Sequence, residues 1–109
     1  MSGKVLGALG LCRRAGALIC GTPMICIALR EGKKRPFLVV AASGRSDGTK
    51  KKLADKCGYY NTPMIEIKAD GEALAASVGK TGVLAAVAVT DKNLAELVKG
   101  SLGKDEKDN

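Results

Sequence analysis

Two unbroken apolar runs predict the centre of a β-sheet. Residues 37–42 (FLVVAA) and 83–89 (VLAAVAV) contain no charged side chain and include several β-branched residues. Runs of this kind are typical of strands that are buried on both faces. Shorter apolar stretches at 18–20 and 63–67 predict two further strands.

Segments with apolar residues at helical spacing separate the predicted strands. They cover residues 4–15, 22–30, 47–57, 71–78 and 92–99, and glycines at 16, 32, 58 and 100 follow four of them. Thr22 is the expected N-cap of the second helix. Pro23 suits its first position, because the N–H that proline lacks has no partner there. The expected caps of the later helices are Ser46 or Asp47, then Asp70, then Asp91.

The alternation of strands and helices predicts an α/β fold in which a sheet lies between helices. The chain has no internal repeat and no linker long enough to separate domains, so residues 1–102 are expected to form one domain. The charged segment 103–109 is expected to be a disordered tail.

Basic residues are concentrated in the first half of the chain. Residues 1–57 hold twelve basic and three acidic side chains, a net charge of +9, whereas residues 58–109 carry a net charge of −2. This asymmetry predicts a basic face for a polyanion, and nucleic acid is the first candidate because Lys and Arg bind phosphates. Aromatic residues make up only 3% of the chain, which argues against a platform of exposed rings for single-stranded nucleic acid.

The composition argues against catalysis. The chain has no histidine, which is the commonest general base and the commonest metal ligand. Its four cysteines show no C-x-x-C spacing and are expected to be reduced and mostly buried. We therefore expect no enzymatic activity, no metal and no cofactor.

The chain is expected to be cytoplasmic and to have no membrane partner. Arg13 and Arg14 interrupt the apolar start of the chain, and no run approaches the roughly 18 residues of a membrane span. No small-residue cleavage site follows an apolar segment near the N-terminus.

The predicted second helix is apolar on nearly every side, which is unusual for a surface helix. Ile25, Ala28 and Leu29 share one face and are expected to point to the core. Met24 and Ile27 then lie toward another side. They either cover core from a neighbouring layer or form an exposed patch for a partner.

Five sequence motifs together resemble a known family. They are G-L-C-R-R-A-G (10–16), I-C-G-T (19–22), T-K-K-K-L-A-D-K-C (49–57), Y-Y-N-T-P (59–63) and A-V-T-D-K (88–92). In this order they resemble the bacterial YlxQ-like branch of the kink-turn RNA-binding ribosomal proteins, the family of the archaeal protein L-seven-Ae. The resemblance covers residues 4–100. It implies a three-layer α/β/α sandwich with a four-stranded mixed sheet, and it implies binding to kink-turn RNA.

The family binds the kink-turn largely with a Gly-Thr-Asn-Glu-x-x-Lys segment at the start of the second helix. Gly21 and Thr22 match its first two positions, whereas Pro23, Met24 and Ile27 replace its Asn, Glu and Lys. None of the three replacements can donate a side-chain hydrogen bond or carry a charge. The resemblance therefore implies that part of the specificity for the kink-turn is lost.

A second family segment, the loop before the last strand, is better preserved. Leu74, Val78, Gly79 and Lys80 fit its pattern. The resemblance and the basic residues together predict an RNA-binding set: Gly21, Thr22, Pro23, Met24, Ile27, Arg30, Lys33, Lys34, Arg45, Lys50, Lys51, Val78, Gly79 and Lys80.

Two functions remain open at this point. The first is an RNA-binding, ribosome-associated accessory protein that contacts ribosomal or other kink-turn-like RNA through a basic face. The alternative is a non-enzymatic protein-interaction module, in which the apolar helix 22–31 is a partner or oligomer interface centred on Met24 and Ile27.

Overall fold

The predicted alternation of helices and strands is confirmed in a computed structural model, which describes residues 3–32, 35–43 and 47–107. In chain order the elements are α1 (Gly3–Arg14), β1 (Leu18–Cys20), α2 (Thr22–Glu31), β2 (Leu38–Ser43), α3 (Asp47–Tyr59), β3 (Met64–Asp70), α4 (Gly71–Ser77), β4 (Ala86–Val89) and α5 (Lys92–Lys107).

The four strands form one mixed sheet in the order β1-β4-β2-β3. β4 is antiparallel to both β1 and β2, whereas β2 and β3 are parallel. The two strands predicted from the long apolar runs, β2 and β4, therefore occupy the centre. Every residue of β4 is buried, as are the first five of β2.

Alternate residues of the central strands point into two separate core clusters. Leu38 and Val40 of β2 join the first cluster, with side chains of α1, α4 and α5. Val39 and Ala41 join the second cluster, with side chains of α2 and α3. Helices cover both faces of the sheet, and the predicted α/β/α sandwich is confirmed.

The start of α2 differs from the prediction. Gly21, not Thr22, is the N-cap residue, and no side chain caps this end. The Thr22 Oγ1 atom is buried and has no hydrogen-bond partner in the described part of the chain. The placement of Pro23 in the first turn is confirmed, and Gly32 ends α2 in the left-handed conformation. Thr22 cannot cap, because it already lies inside the first turn.

The predicted caps of α4 and α5 are confirmed. The Asp70 carboxylate accepts a hydrogen bond from the Ala73 N–H at 2.8 Å, and the Asp91 carboxylate accepts one from the Leu94 N–H at 3.0 Å. The expected cap of α3 at Ser46 or Asp47 falls on residues whose capping geometry lies outside the described part of the chain.

The C-terminus of α3 is closed by a Schellman motif. The Thr62 N–H donates to the Cys57 carbonyl at 2.8 Å, and the Asn61 N–H donates to the Gly58 carbonyl at 3.3 Å. Asn61 has a φ of 57° and is the one non-glycine residue with positive φ among those described. Gly58, which was predicted to follow the helix, lies inside its last turn, and Asn61 takes the left-handed position.

The boundaries of β4 and α5 also differ from the predictions. β4 begins at Ala86, so Val83 belongs to the preceding loop and is 61% exposed. α5 continues past Gly100 to Lys107, where a disordered tail was expected from residue 103 onward. A glycine inside a helix costs about 1 kcal/mol. The packing of Ala95 and Val98 into the first cluster offsets this cost.

Candidate nucleic-acid interface

The start of α2 and the loop before β4 meet at one end of the sheet. The Gly21 N–H donates to the Ala86 carbonyl at 3.1 Å, and the Ala42 N–H donates to the Ala85 carbonyl at 2.9 Å. The C-terminal ends of β1, β2 and β3 and the N-terminal end of β4 therefore share this edge. We call it the α2 end, and it comprises residues 20–24, 42–43, 70–71 and 83–86.

Gly21 has a backbone conformation that side chains disfavour. Its φ of 96° is positive, with a ψ of 137°. Residues with a Cβ are stable mainly at negative φ, so this conformation favours glycine. Apart from Gly21 and its two chain neighbours, no described residue has an atom within 4 Å of the position that a Cβ would occupy, so the backbone is open to a close approach. The first N–H groups of a helix lack partners within the helix and favour anions.

An exposed apolar surface covers the first turns of α2. Met24 is 55% exposed and Ile27 is 37% exposed, while Pro23 is also exposed. Ile25 and Leu29 are buried in the second cluster, as predicted. The exposure of Met24 and, to a lesser degree, of Ile27 favours an exposed patch over the cover of a neighbouring layer, and a partner at this patch stays a prediction.

The start of α3 supplies exposed positive charge. Lys50 forms an ion pair with Glu66 of β3, with 2.7 Å between Nζ and Oε2. Lys51 and Lys52 are exposed, and no ion pair joins either of them to another described residue. Of the three lysines, Lys50 is the one whose charge is partly compensated within the protein.

The loop before β4 places its predicted residues in different environments. Val78 is buried in the first cluster, and its carbonyl accepts a hydrogen bond from Arg13 Nε at 3.1 Å. Gly79 and Lys80 are exposed, and Gly79 has a φ of 73°. The loop returns to the α2 end through the Leu84 N–H, which donates to the Gly71 carbonyl at 3.0 Å.

Sequence reasoning missed Val83 as a surface residue of this end. It was assigned to a buried strand because the apolar run 83–89 has no break. The preceding residue, Gly82, has a φ of 86°. Because glycine often marks a turn, Gly82 could have indicated that the strand begins after Val83.

The remaining predicted residues lie elsewhere. Arg30 is exposed in the last turn of α2. A helix of this length separates its two ends by about 15 Å, so Arg30 lies far from Gly21. Lys33, Lys34 and Arg45 lie outside the described residues.

Basic residues are divided between the two helix layers. Lys4, Arg13 and Arg14 belong to α1, on one face of the sheet, whereas Arg30 and Lys50–Lys52 belong to α2 and α3 on the other. The charge asymmetry along the sequence therefore does not map onto a single helix layer in the described part of the chain.

The cysteines are free and mostly inaccessible. Cys12 and Cys57 are buried, and Cys20 and Cys26 are half-buried. Burial raises the pKa of the Cys12 and Cys57 thiols, in the case of Cys57 to about 11. The described residues contain no group of three His, Cys, Asp or Glu side chains that could hold a metal ion. None of their helices is long and apolar enough to cross a membrane.

Two curated proteins are similar in sequence. The RNA-binding protein YlxQ of Bacillus subtilis is 33% identical over 87 residues, which are 80% of this chain and 83% of that protein. The chain belongs to the YlxQ family. The RNA-binding protein YlxQ of Enterococcus faecium is 36% identical over 69 residues, which span 63% of this chain and 65% of that relative. No protein-family profile matches the chain.

Two solved structures share the fold of the chain. A protein of unknown function from Bacillus halodurans superimposes with a TM-score of 0.81 at 30% identity, covering 92% of this chain and 97% of that one. The Giardia lamblia 15.5kD RNA binding protein superimposes with a TM-score of 0.73 at 19% identity, covering 97% of this chain and 88% of that one. The second likeness concerns the fold alone. The predicted resemblance to the bacterial YlxQ-like branch is thus confirmed.

Proposed function

We propose that this YlxQ-family protein binds structured RNA with a sharp bend, of the kink-turn type, at the α2 end. The observation that carries the proposal is the junction at Ala86, where the open backbone of Gly21 and the loop before β4 meet. Two relatives bear names that describe them as RNA-binding proteins, which supports RNA as the ligand.

In this proposal, backbone N–H groups at the start of α2 and exposed lysine side chains bind the RNA phosphates. The N–H groups of Thr22 and Met24, which helix geometry leaves without a partner in the helix, can donate hydrogen bonds to a phosphate. Gly21 has no side chain to block the approach of that phosphate. Lys51, Lys52 and Lys80 are exposed and add long-range attraction for the phosphates. A bent backbone presents phosphates from two directions, which suits a site made of a helix start and a separate loop.

Base recognition is the weaker part of this site. The exposed side chains at the start of α2 are Pro23 and Met24, followed one turn later by Ile27. They offer apolar contact but no hydrogen bond to a base edge. Each lost pair of hydrogen bonds to a base removes about 1–3 kcal/mol of discrimination, by analogy with DNA. The protein should therefore bind kinked RNA with modest preference, as an accessory to ribosomal or similar RNA in the cytoplasm, and without a cofactor.

The test is a titration of the protein with a kink-turn RNA and with a matched RNA whose G·A pairs are replaced. Both titrations are repeated across a salt series. We expect binding to both RNAs that weakens steeply with salt, with a small preference for the kinked form. A large preference would contradict the weakened base recognition, and no binding to either RNA at moderate salt would contradict RNA binding.

The exposure of Met24 and Ile27 favours a second candidate, a protein-interaction module that uses helix α2 as a partner or oligomer interface. Sedimentation at increasing concentration distinguishes its self-associating form. A dimer that dissociates in the variant Met24→Asp would support it, and a monomer at all concentrations would contradict it.

A further inference from the structure

All three aromatic residues of the chain lie at the end of the sheet opposite the α2 end. Phe37 immediately precedes β2, and Tyr59 and Tyr60 close α3 just before β3. The Val39 N–H donates to the Pro63 carbonyl at 2.9 Å, which holds the two segments side by side. We call Phe37, Tyr59 and Tyr60 the aromatic end.

Most of the Tyr-Tyr-Asn-Thr motif is explained by the fold. Tyr60 packs against the second core cluster, Asn61 supplies the left-handed residue after α3, and Thr62 is buried. Tyr59 is different, because its side chain is 80% exposed and contributes to neither core cluster. A large aromatic ring that the fold leaves exposed is available for a contact outside the protein.

The exposed ring of Tyr59 contacts one neighbouring ring. It meets the ring of Tyr60 edge to face, with 4.9 Å between centroids and an angle of 84° between planes. Arg35 donates from its guanidinium to the Tyr60 carbonyl at 2.6 Å and fixes the same turn. An ordered ring loses little conformational entropy when a ligand stacks on it.

The described charged residues at the C-terminal ends of α2 and α3, which lie at this end of the sheet, are slightly more often basic than acidic. Arg35 and Arg30 are exposed, and Lys56 lies half-buried in the last turn of α3. Glu31 and Asp55 are the acidic residues of the same helix ends, and both are exposed. This end of the sheet therefore has three basic and two acidic side chains, together with exposed rings. Such a surface fits a ligand that has both flat apolar groups and negative charge.

We propose that the aromatic end is a second contact site, which binds single-stranded RNA next to the structured element held at the α2 end. The low aromatic content argues against a platform of several rings, but one ring is enough for a single base, which stacks on Tyr59. Phe37, which is 44% exposed, offers a second apolar surface. Arg35 and Lys56 attract the phosphates. Stacking of this kind tolerates any base sequence, because every base has a flat face. The assignment of RNA as ligand rests on the proposed function, whereas the location of this site does not.

Binding is measured first with a labelled single-stranded oligouridylate, and then with kink-turn RNA with and without a single-stranded uridine extension. Tyr59→Ala should weaken oligouridylate binding by about 5- to 100-fold, since stacking on one ring has this magnitude. Tyr59→Phe keeps a ring and should stay close to the unmodified protein. Because the chain has no Trp, quenching of tyrosine emission on binding reports on these residues directly.

The matched control is Leu97→Ala, because Leu97 is 44% exposed on α5, on the other face of the sheet. We expect no change in this variant, and we expect Tyr59→Ala to bind the kink-turn RNA without extension normally. The proposal is overturned if Tyr59→Ala binds oligouridylate like the unmodified protein, or if it weakens both kink-turn RNAs equally. It is also overturned if the unmodified protein ignores both oligouridylate and the extension. If kink-turn RNA still binds in that case, the proposed function stands, and if it does not, both fail.

Discussion

At the scale of single residues, Thr62 is a buried polar residue whose hydroxyl is unsatisfied. Its Oγ1 atom has no hydrogen-bond partner among the described residues. An unpaired buried hydroxyl costs about 1–3 kcal/mol. Thr62 is also the last residue of the Schellman motif, where an apolar side chain often contacts the end of the helix. Valine has nearly the same shape and no hydroxyl.

Thr62→Val should therefore raise the free energy of unfolding by about 1 kcal/mol. Urea denaturation of the variant and the unmodified protein measures the difference. Thr81→Val is the control, because Thr81 is exposed and its hydroxyl is free to contact water, so its stability should not rise. A loss of stability in Thr62→Val would mean that a bound water satisfies the hydroxyl.

The thiol of Cys57 makes stability depend on alkaline pH. Burial, followed in importance by the nearby Cys26 thiol, raises its pKa from 9.0 to about 11. The folded state therefore holds this proton between these two values while the unfolded state releases it. The stabilisation is complete below pH 9 and is lost as the pH rises toward 11.

Between neutral pH and about pH 10, this single group should lower the free energy of unfolding by about 1 kcal/mol. In Cys57→Ala that part of the pH dependence should disappear, even though the smaller side chain lowers stability at neutral pH. Urea denaturation of both proteins at the two pH values under reducing conditions measures it. An identical pH dependence in the two proteins would contradict the raised pKa.

At the scale of elements, the end of α3 depends on the left-handed conformation of Asn61. For residues other than glycine, asparagine and aspartate, adopting this conformation costs about 1–2 kcal/mol of free energy. Asn61→Ala should lower the free energy of unfolding by about 1 kcal/mol, and Asn61→Gly should leave it nearly unchanged. Thermal or urea denaturation compares the two variants. An equal loss in both would point to the asparagine side chain rather than the backbone.

The start of α2 offers a gain-of-function test of RNA recognition. Combining Pro23→Asn, Met24→Glu and Ile27→Lys restores the three polar residues that the family resemblance implies. The exposure of these positions permits the change, and a glutamate in the first turn suits the helix dipole. Restored base contacts should raise the preference for kink-turn RNA over its G·A-replaced form by at least about tenfold.

Alanine at the same three positions is the matched control, since it removes the apolar side chains without adding hydrogen-bonding groups. It should show no gain in preference. If the polar variant folds and yet gains none, the kink does not contact the start of α2 as proposed.

The same elements mark what the sequence could predict. The long apolar runs correctly indicated β2 and β4, because burial on both faces leaves no polar position. The exposed patch on α2 was also visible as an excess of apolar residues. The ends were harder to predict, since Gly58, Gly100 and Thr22 are residue types that often end or cap helices but here lie inside them. Tertiary contacts decide such positions, and they are not encoded locally.

At the scale of the whole molecule, the charge asymmetry and the fold have to be considered together. The sequence predicted a basic face from the +9 net charge of residues 1–57. The sandwich divides these residues, because α1 lies on one face of the sheet and α3 on the other. The topology therefore decides which cations could contact the proposed RNA. Among the described residues, the exposed lysines near the start of α3 lie on the helix that begins at the α2 end.

This division gives a whole-molecule prediction about salt dependence. Lys51 on α3 and Lys99 on α5 are both exposed lysines on helices, but they lie on opposite faces of the sheet. Lys51→Gln should weaken RNA binding and reduce the slope of log K against log salt by about 0.7–0.9, the value for one lost phosphate contact. Lys99→Gln removes the same formal charge and should leave the slope unchanged. Binding isotherms of both variants over a salt series measure it. If the two substitutions lower the slope equally, the protein attracts RNA through its total charge. In that case the α2 end is not the place where the phosphates bind.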